Sequence, residues 1–260
     1  MRAGSRLKGV GFDLWETLIT DTPEAAMAQE ALRIDRLQLV LLREGLHHSK
    51  DVVQKACKAL WHICLDRYWS ADVDIPARRQ IAHFLEALGL EPEAVSDQVL
   101  ADLEQAYVSP AGEIPPQLLT GVADTLEQLR AEGYVIGLVS NTGRTPGVIL
   151  RAVLQGYGLS DFFKTMVFSN EHGECKPRPS IFARLARELG LDPGTVAFVG
   201  DNLYCDVFGA QRQGMRGILF NPPTRGLAVA SAVDHGHTIV PDATITTLAE
   251  LPAVLERWGS

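Results

Sequence analysis

The sequence predicts an α/β fold: a parallel sheet covered on both faces by helices and interrupted after its first strand by an inserted helical bundle. Three observations predict it. Short apolar runs alternate with helical stretches from residue 122 to residue 220, a pattern that calls for parallel strands joined by crossover helices. A run of the same kind, Gly9–Leu14, stands alone near the start of the chain. Between them, Pro23 to Tyr107 reads as helix almost throughout.

The first strand is expected at Gly9–Leu14. Four helices follow. Glu24–Leu46 carries Met27, Leu32, Ile34, Leu37, Val40 and Leu41 at helical spacing, and Gly45 weakens its end. Asp51–Tyr68 repeats the period with Val53, Ala56, Leu60 and Ile63. Pro76–Leu88 stops at Gly89, and Ala94–Tyr107 is the fourth, with Val99, Leu100 and Leu103. Amphipathic helices with short links make a bundle. The alternating part then supplies strands at Val135–Val139, Thr165–Phe168, Val196–Val199 and Ile218–Phe220, with a sixth at Thr238–Val240. The helices between are Val122–Glu132, Gly147–Gln155, Ile181–Leu189 and Val207–Gln213. Loops near Thr20–Thr22 and Val108–Pro116 mark the boundaries, giving a core of residues 1–20 and 110–260 and a helical insertion of residues 21–109.

Composition narrows the function. The chain has 260 residues, 46% of them hydrophobic and 22% charged, which suits a globular protein able to bury a core without disulfides. Its net charge of -8 opposes general nucleic-acid binding. No apolar run is long enough to span a bilayer, which requires about 18–20 residues. The basic N-terminus lacks the apolar stretch of a secretory signal, so a cytoplasmic location is expected. Cys57, Cys64, Cys175 and Cys205 form no CxxC pair and no zinc spacing, and read as reduced thiols. His235 and His237 sit in a late glycine-containing loop with no carboxylate beside them and read as surface residues. The cap arginines Arg33, Arg36 and Arg43 read as lying on solvated faces, with the alternative that one of them enters the cleft and reads substrate charge; the sequence does not choose among them. Nothing in the sequence bears on oligomeric state.

Polar residues collect where the strands end. Asp13 ends the first run, Ser140 and Asn141 the second, and Asp201 a later one. In an open α/β sheet, ligands bind beyond the carboxyl ends of the strands. Asp13, Asp201 and Asp206 together concentrate negative charge, and such a cluster needs a cation to stay ionised. An all-oxygen donor set points to Mg2+. The stretch Ser140–Gly147 adds an anion site, with Pro146 at the first turn of a helix and Thr145 before it as cap. Lys176, in a loop stiffened by Pro177 and Pro179, offers an ammonium to a phosphoryl oxygen.

Four segments, Phe12–Leu18, Val139–Thr142, Lys176–Phe182 and Val199–Asp206, resemble the ordered motifs of the haloacid dehalogenase superfamily. The resemblance runs from Gly9 to about Leu251 and implies a Rossmann-like core with a helical cap placed between the first two motifs. It implies Asp13 as a nucleophile that forms an aspartyl intermediate, Ser140 as a ligand of the transferring phosphoryl group with Asn141 shaping that site, and Lys176 as charge balance. It implies Mg2+ held by Asp13, Asp201 and the backbone carbonyl of Trp15, with Asp206 supporting both metal and Lys176. Trp15 departs from the phosphatase pattern, in which a second Asp serves as general acid and base. An indole can do neither, and Trp15 is expected instead as a wall of the substrate site. Glu16 is adjacent, but neighbouring side chains in extended backbone point to opposite sides.

The leading expectation is a Mg2+-dependent hydrolase of small phosphorylated metabolites, slow or atypical because of Trp15. The alternatives are a 2-haloacid dehalogenase-like enzyme, whose relatives tolerate a non-acidic residue at that position, and a catalytically weak phosphate-binding protein. A phosphonate-cleaving relative would need a cap lysine, for which Lys50, Lys55 and Lys58 qualify by type alone. The intact Gly200–Asp201 pair favours the metal and phosphate chemistry.

Overall fold

A computed structural model describes residues 6–222 and 239–258. His235, His237 and Thr238 lie outside the described residues.

The strands β1 (Gly9–Phe12), β4 (Val135–Ser140), β5 (Phe163–Phe168), β6 (Val196–Gly200), β7 (Arg216–Phe220) and β8 (Ala243–Ile245) form one parallel sheet in the order β5-β4-β1-β6-β7-β8. The last strand lies at Ala243–Ile245, a few residues later than the sequence reading, and residues 239 and 240 are not part of a strand. Its position is set by pairing: Ala243, Thr244 and Ile245 register with Ile218, Leu219 and Phe220 of β7.

Side chains alternate across the sheet, as the pleat requires. Phe12, Leu138, Ala197 and Val199 face one apolar cluster with α6 (Val122–Ala131), α7 (Gly147–Gly156) and α11 (Leu251–Glu256). Val139 and Phe198 face the other, with Phe182 and Leu185 of α9 (Pro179–Leu189). Gly11 and Gly137 let α9 lie close on the sheet. A Cβ on either would sit 2.7 Å and 2.6 Å, respectively, from a methyl of Leu185.

The helices α1 (Pro23–Arg43), α2 (Lys50–Arg67), α3 (Ala77–Ala87) and α4 (Asp97–Val108) build a third apolar cluster of their own, centred on Leu37, Leu60, Ile81, Phe84 and Leu103. Thr22, Ser49 and Ser96 cap α1, α2 and α4 through their hydroxyls. The two chain passages between this unit and the sheet pair with each other: β2 (Ile19–Thr20) runs antiparallel to β3 (Gln117–Leu118). The second passage, read from sequence as a loop, contains a one-turn helix, α5 (Pro110–Glu113). Arg36 pairs with Glu113 there. No helix among the described residues is long and apolar enough to cross a membrane.

A seam also joins the helical unit to the core on another side. Val73 forms an antiparallel bridge with Glu174, and the Asp74 N–H donates to the Gly173 carbonyl at 3.0 Å. The buried Asp74 carboxylate accepts from Trp69 Nε1 and the Ile75 N–H on its own side, and from the Thr142 and Ser169 hydroxyls of the core. Asp74→Ala strips a partner from each of these buried donors, at about 1–3 kcal/mol for each one left unpaired. Urea unfolding should register a loss of at least about 2 kcal/mol, and amide exchange should quicken at residues 73–75 and 173–175 first. Wild-type stability with unchanged exchange would show that the seam contributes nothing.

Candidate active site

β1 lies between β4 and β6, so the carboxyl ends of three adjacent strands deliver Asp13, Ser140 and Asp201 side by side. The chain fills the sheet on one side of β1 with β4 and β5, then crosses to the other side with β6. That reversal of strand order opens a crevice beyond the strand ends.

Asp13, Asp201 and Asp206 are all buried, and each offers a carboxylate oxygen within 4.8 Å of the others. Lys176, itself only 3% exposed, donates from Nζ to Asp13 Oδ1 and stands 2.7 Å from Asp206 Oδ1. The contact with Asp206 is a buried ion pair. Burial alone would lower the lysine pKa, but the Asp13 and Asp206 carboxylates outweigh it and hold the pKa above the ordinary value. Burial pushes the Asp206 carboxyl up to about 6 against the pull of Lys176. Among the described residues, Lys176 is the cation paired with Asp13 and Asp206.

Each group is held by its neighbours. Thr17 Oγ1 donates to Asp13 Oδ2 at 3.1 Å. Asn141 clamps the Lys176 backbone at both ends: Oδ1 accepts the Lys176 N–H at 2.8 Å and Nδ2 donates to the Lys176 carbonyl at 3.1 Å. Its side chain therefore positions the lysine. Asp206 lies in a π-helical turn, Leu203–Phe208, a distortion often found at functional sites. The cap of that turn is Asn202, whose Oδ1 accepts from the Tyr204 and Cys205 N–H groups, so Asp206 is not the cap. Asp206 Oδ2 instead accepts from the Asn202 N–H at 2.9 Å.

The buried Ser140 lies at the end of β4. The anion site expected at the start of α7 is altered. Thr145 makes no capping bond, and the Gly147 N–H is taken by Asn170 Oδ1 at 3.1 Å.

After Asp13 the chain turns tightly. Leu18 and Ile19 both donate to the Leu14 carbonyl, and Glu16 adopts a positive φ of 58°. The Glu16 carboxylate accepts from Thr20 Oγ1 at 2.8 Å, which ties it to the hinge strand β2. Trp15 is half-buried and lines a cleft of about 660 Å³ between the core loop 141–145 and helices α1 and α2. Arg33, read from sequence as solvated, is buried: Nε donates to the Tyr107 carbonyl at 2.9 Å and Nη1 to Glu30 at 2.6 Å. Lys50 and Lys55 form exposed pairs with Asp35 and Asp51, while the exposed Lys58 lines the cleft. A larger hollow of about 1050 Å³ opens near Arg6, Lys8 and Glu132, beside the Val135 start of β4 and away from the carboxylates.

All four cysteines are free thiols. Burial pushes Cys57 and Cys175 up to about 12 and Cys64 up to about 11, and it raises Cys205 too, which removes them as nucleophiles at neutral pH. The sequence reading did not single out Thr17, Asp74 or Ser169. Thr17 lies in the segment that carries Asp13, so spacing alone could have found it. Asp74 and Ser169 become partners only through folding.

Residues 7–214 match the family model of the haloacid dehalogenase-like hydrolases. A glyceraldehyde 3-phosphate phosphatase of Methanopyrus kandleri is 37% identical over 215 residues, 80% of this chain and 82% of that protein. The N-acylneuraminate-9-phosphatase of Rattus norvegicus is 26% identical, covering 97% of this chain and 95% of its own. The crystal structure of a 2-haloacid dehalogenase from Pseudomonas syringae superposes with a TM-score of 0.70 at 27% identity, covering 97% of this chain and 99% of that one.

Gly200 sits under this network. A Cβ there would lie 2.2 Å from Asp206 Oδ2 and 2.3 Å from Asp206 Cγ. Gly200→Ala should drive Asp206 off Lys176 and lower thermal stability by about 1–3 kcal/mol, the usual cost of overpacking. A crystal structure of the variant with Asp206 still on Lys176 would show that the backbone yields instead.

Proposed function

The chain belongs to the haloacid dehalogenase-like hydrolases, and on that premise we propose that it is a Mg2+-dependent phosphatase of small phosphorylated metabolites that works through Asp13. The observation that carries the proposal is the buried carboxylate cluster with a single lysine across it. The two phosphatase relatives act on different phosphate esters, so their likeness supports the reaction class and leaves the substrate open.

The donor set fits Mg2+. It is all oxygen, three buried carboxylates each with an oxygen within 4.8 Å of the others. Asp13, Asp201 and the Trp15 carbonyl would hold the ion, with Asp206 behind them. Bound there, Mg2+ would neutralise charge on the carboxylates and on the substrate phosphate.

In this reading the Asp13 carboxylate attacks phosphorus, the bond to the leaving oxygen breaks, and an aspartyl-phosphate forms. Water then attacks the same phosphorus, releasing phosphate and restoring Asp13. Lys176 balances charge throughout, and Ser140 with the neighbouring loop binds the phosphoryl group. Residues 21–109 act as the cap over this site. Trp15 supplies no proton to the leaving oxygen, and Glu16 is engaged by Thr20, so protons come from solvent. The four free thiols support a cytoplasmic setting.

A second reading has its own support. Trp15 removes the acid–base group, and the dehalogenase likeness extends over nearly the whole chain. A panel of phosphomonoesters and 2-haloacids, run with Mg2+ and with EDTA, separates the two. Phosphate release that EDTA abolishes and Mg2+ restores is expected, and Asp13→Asn should reduce it to background in a folded protein. Halide release indifferent to EDTA would transfer the chain to the dehalogenase reading.

Trp15 gives a kinetic signature. With an activated aryl phosphate, a burst equal to the enzyme concentration should precede a slow steady rate, because the aspartyl-phosphate accumulates. Trp15→Asp restores an acid and base, and should raise the steady rate within the roughly 10²–10⁴-fold range of such groups. Fast wild-type hydrolysis of unactivated alkyl phosphates, with no gain in a folded Trp15→Asp variant, would show that another group delivers the proton.

A further inference from the structure

We infer that Arg144 and Arg33 form an anion subsite that reads a carboxylate on the leaving group, so that the preferred substrates are phosphomonoesters of small carboxylic acids. The inference rests on the phosphatase reading of the adjoining carboxylate site.

The subsite is built across the cleft from both sides. Arg144 belongs to the core loop that follows Ser140 and Asn141, and Arg33 belongs to α1. Their guanidinium groups converge on one acceptor: Glu30 Oε2 takes Nη1 of Arg33 and Nη1 of Arg144, each at 2.6 Å. The geometry therefore already seats a carboxylate oxygen between two arginines, in the same cleft whose wall is Trp15, two residues beyond Asp13.

Neither arginine is free to wander. Arg33 is buried, bound to the Tyr107 carbonyl and stacked 5.5 Å from that ring's centroid. Arg144 lies 4.6 Å from the centroid of Trp61, which also lines the cleft. Fixed guanidinium planes are suited to carboxylates, because the fork of N–H donors matches two carboxylate oxygens and little side-chain freedom remains to be lost. Glu30 uses one Nη of Arg144, and a guanidinium has five N–H donors, so capacity for a second carboxylate remains.

Charge favours a singly charged guest. Among the described residues that line the cleft, Arg33, Arg144 and Lys58 stand against Glu30 and Asp21, a surplus of one positive charge. A carboxylate matches that surplus, whereas a second phosphate would overshoot it. Trp15 and Trp61 leave apolar wall for the carbon skeleton between the phosphate and the carboxylate.

The plain alternative is that Glu30 and Arg144 are only a clasp between the two halves of the molecule. A clasp affects all ligands alike, so the deciding readout is a ratio of affinities within each protein. Titration calorimetry with Mg2+ present compares benzylphosphonate with its 3- and 4-carboxy derivatives, none of which can be hydrolysed, and turnover of phenyl phosphate is followed separately. In the wild type the better carboxy derivative should bind about 10–100-fold tighter than benzylphosphonate, the worth of one or two charge-assisted hydrogen bonds. Arg144→Gln, a change at a side chain 32% exposed, should bring that ratio close to one. Glu30→Gln should move it the other way, because it removes the competing carboxylate. Equal binding in the wild type, or a ratio that survives Arg144→Gln, overturns the subsite; if phenyl phosphate is still hydrolysed, the phosphatase reading stands without it. Failure of every phosphonate to bind overturns the phosphate site and this inference together.

Discussion

Everything at the strand ends is organised around one buried ammonium. Lys176 is nearly inaccessible to water and stands between the Asp13 and Asp206 carboxylates. A buried charge is tolerated only with partners, and carboxylates that close would repel one another without it. The lysine therefore has to be placed to within a fraction of an ångström, and the surrounding structure does this. Asn141 grips its backbone from the end of the neighbouring strand, Gly200 leaves room for Asp206, and Asn202 fixes the turn that carries Asp206. Asp201 brings a third buried carboxylate oxygen within 4.8 Å of those of Asp13 and Asp206.

The helical unit contributes in two ways. At one seam it is fastened to the loop that leads into Lys176, through the Val73–Glu174 bridge and the four-way hydrogen bonding of Asp74. At the cleft it presents Arg33, Glu30 and Trp61 opposite Trp15 and Arg144. The buried carboxylates thus lie on the sheet side, while much of the cleft wall opposite comes from helices α1 and α2.

Trp15 is the point at which chemistry and packing compete. The tight turn after β1 leaves the backbone of residues 14–19 hydrogen-bonded as a unit and sends Glu16 toward Thr20. An indole at residue 15 adds apolar wall to the cleft. The Glu16 carboxylate is engaged by Thr20, and its backbone takes a positive φ.

Much of the architecture is legible in local pattern. The alternation of apolar runs and helical periods located five of the six sheet strands and the four helices of the insertion, because burial on one face imposes a period that sequence carries directly. The same logic placed Asp13, Ser140 and Asp201 at strand ends, residue chemistry pointed to Lys176 and Asp206, and the motif resemblance assigned their roles. The sixth strand was misplaced, since its position depends on register with β7 and not on its own composition. Asp74 escaped notice because an aspartate between helices has no local signature, and its partners, Thr142 and Ser169, are distant in sequence. Which of Arg33, Arg36 and Arg43 enters the cleft was not legible, because what holds Arg33 inward is the carbonyl of Tyr107 on another helix. Sequence by itself determined which residues could carry the chemistry and which strands would deliver them, since both follow from local periodicity and residue type. Only the tertiary structure decided which of those groups meet, because a hydrogen bond such as Thr142 to Asp74 or an ion pair such as Arg144 to Glu30 depends on distances across elements that no local pattern encodes.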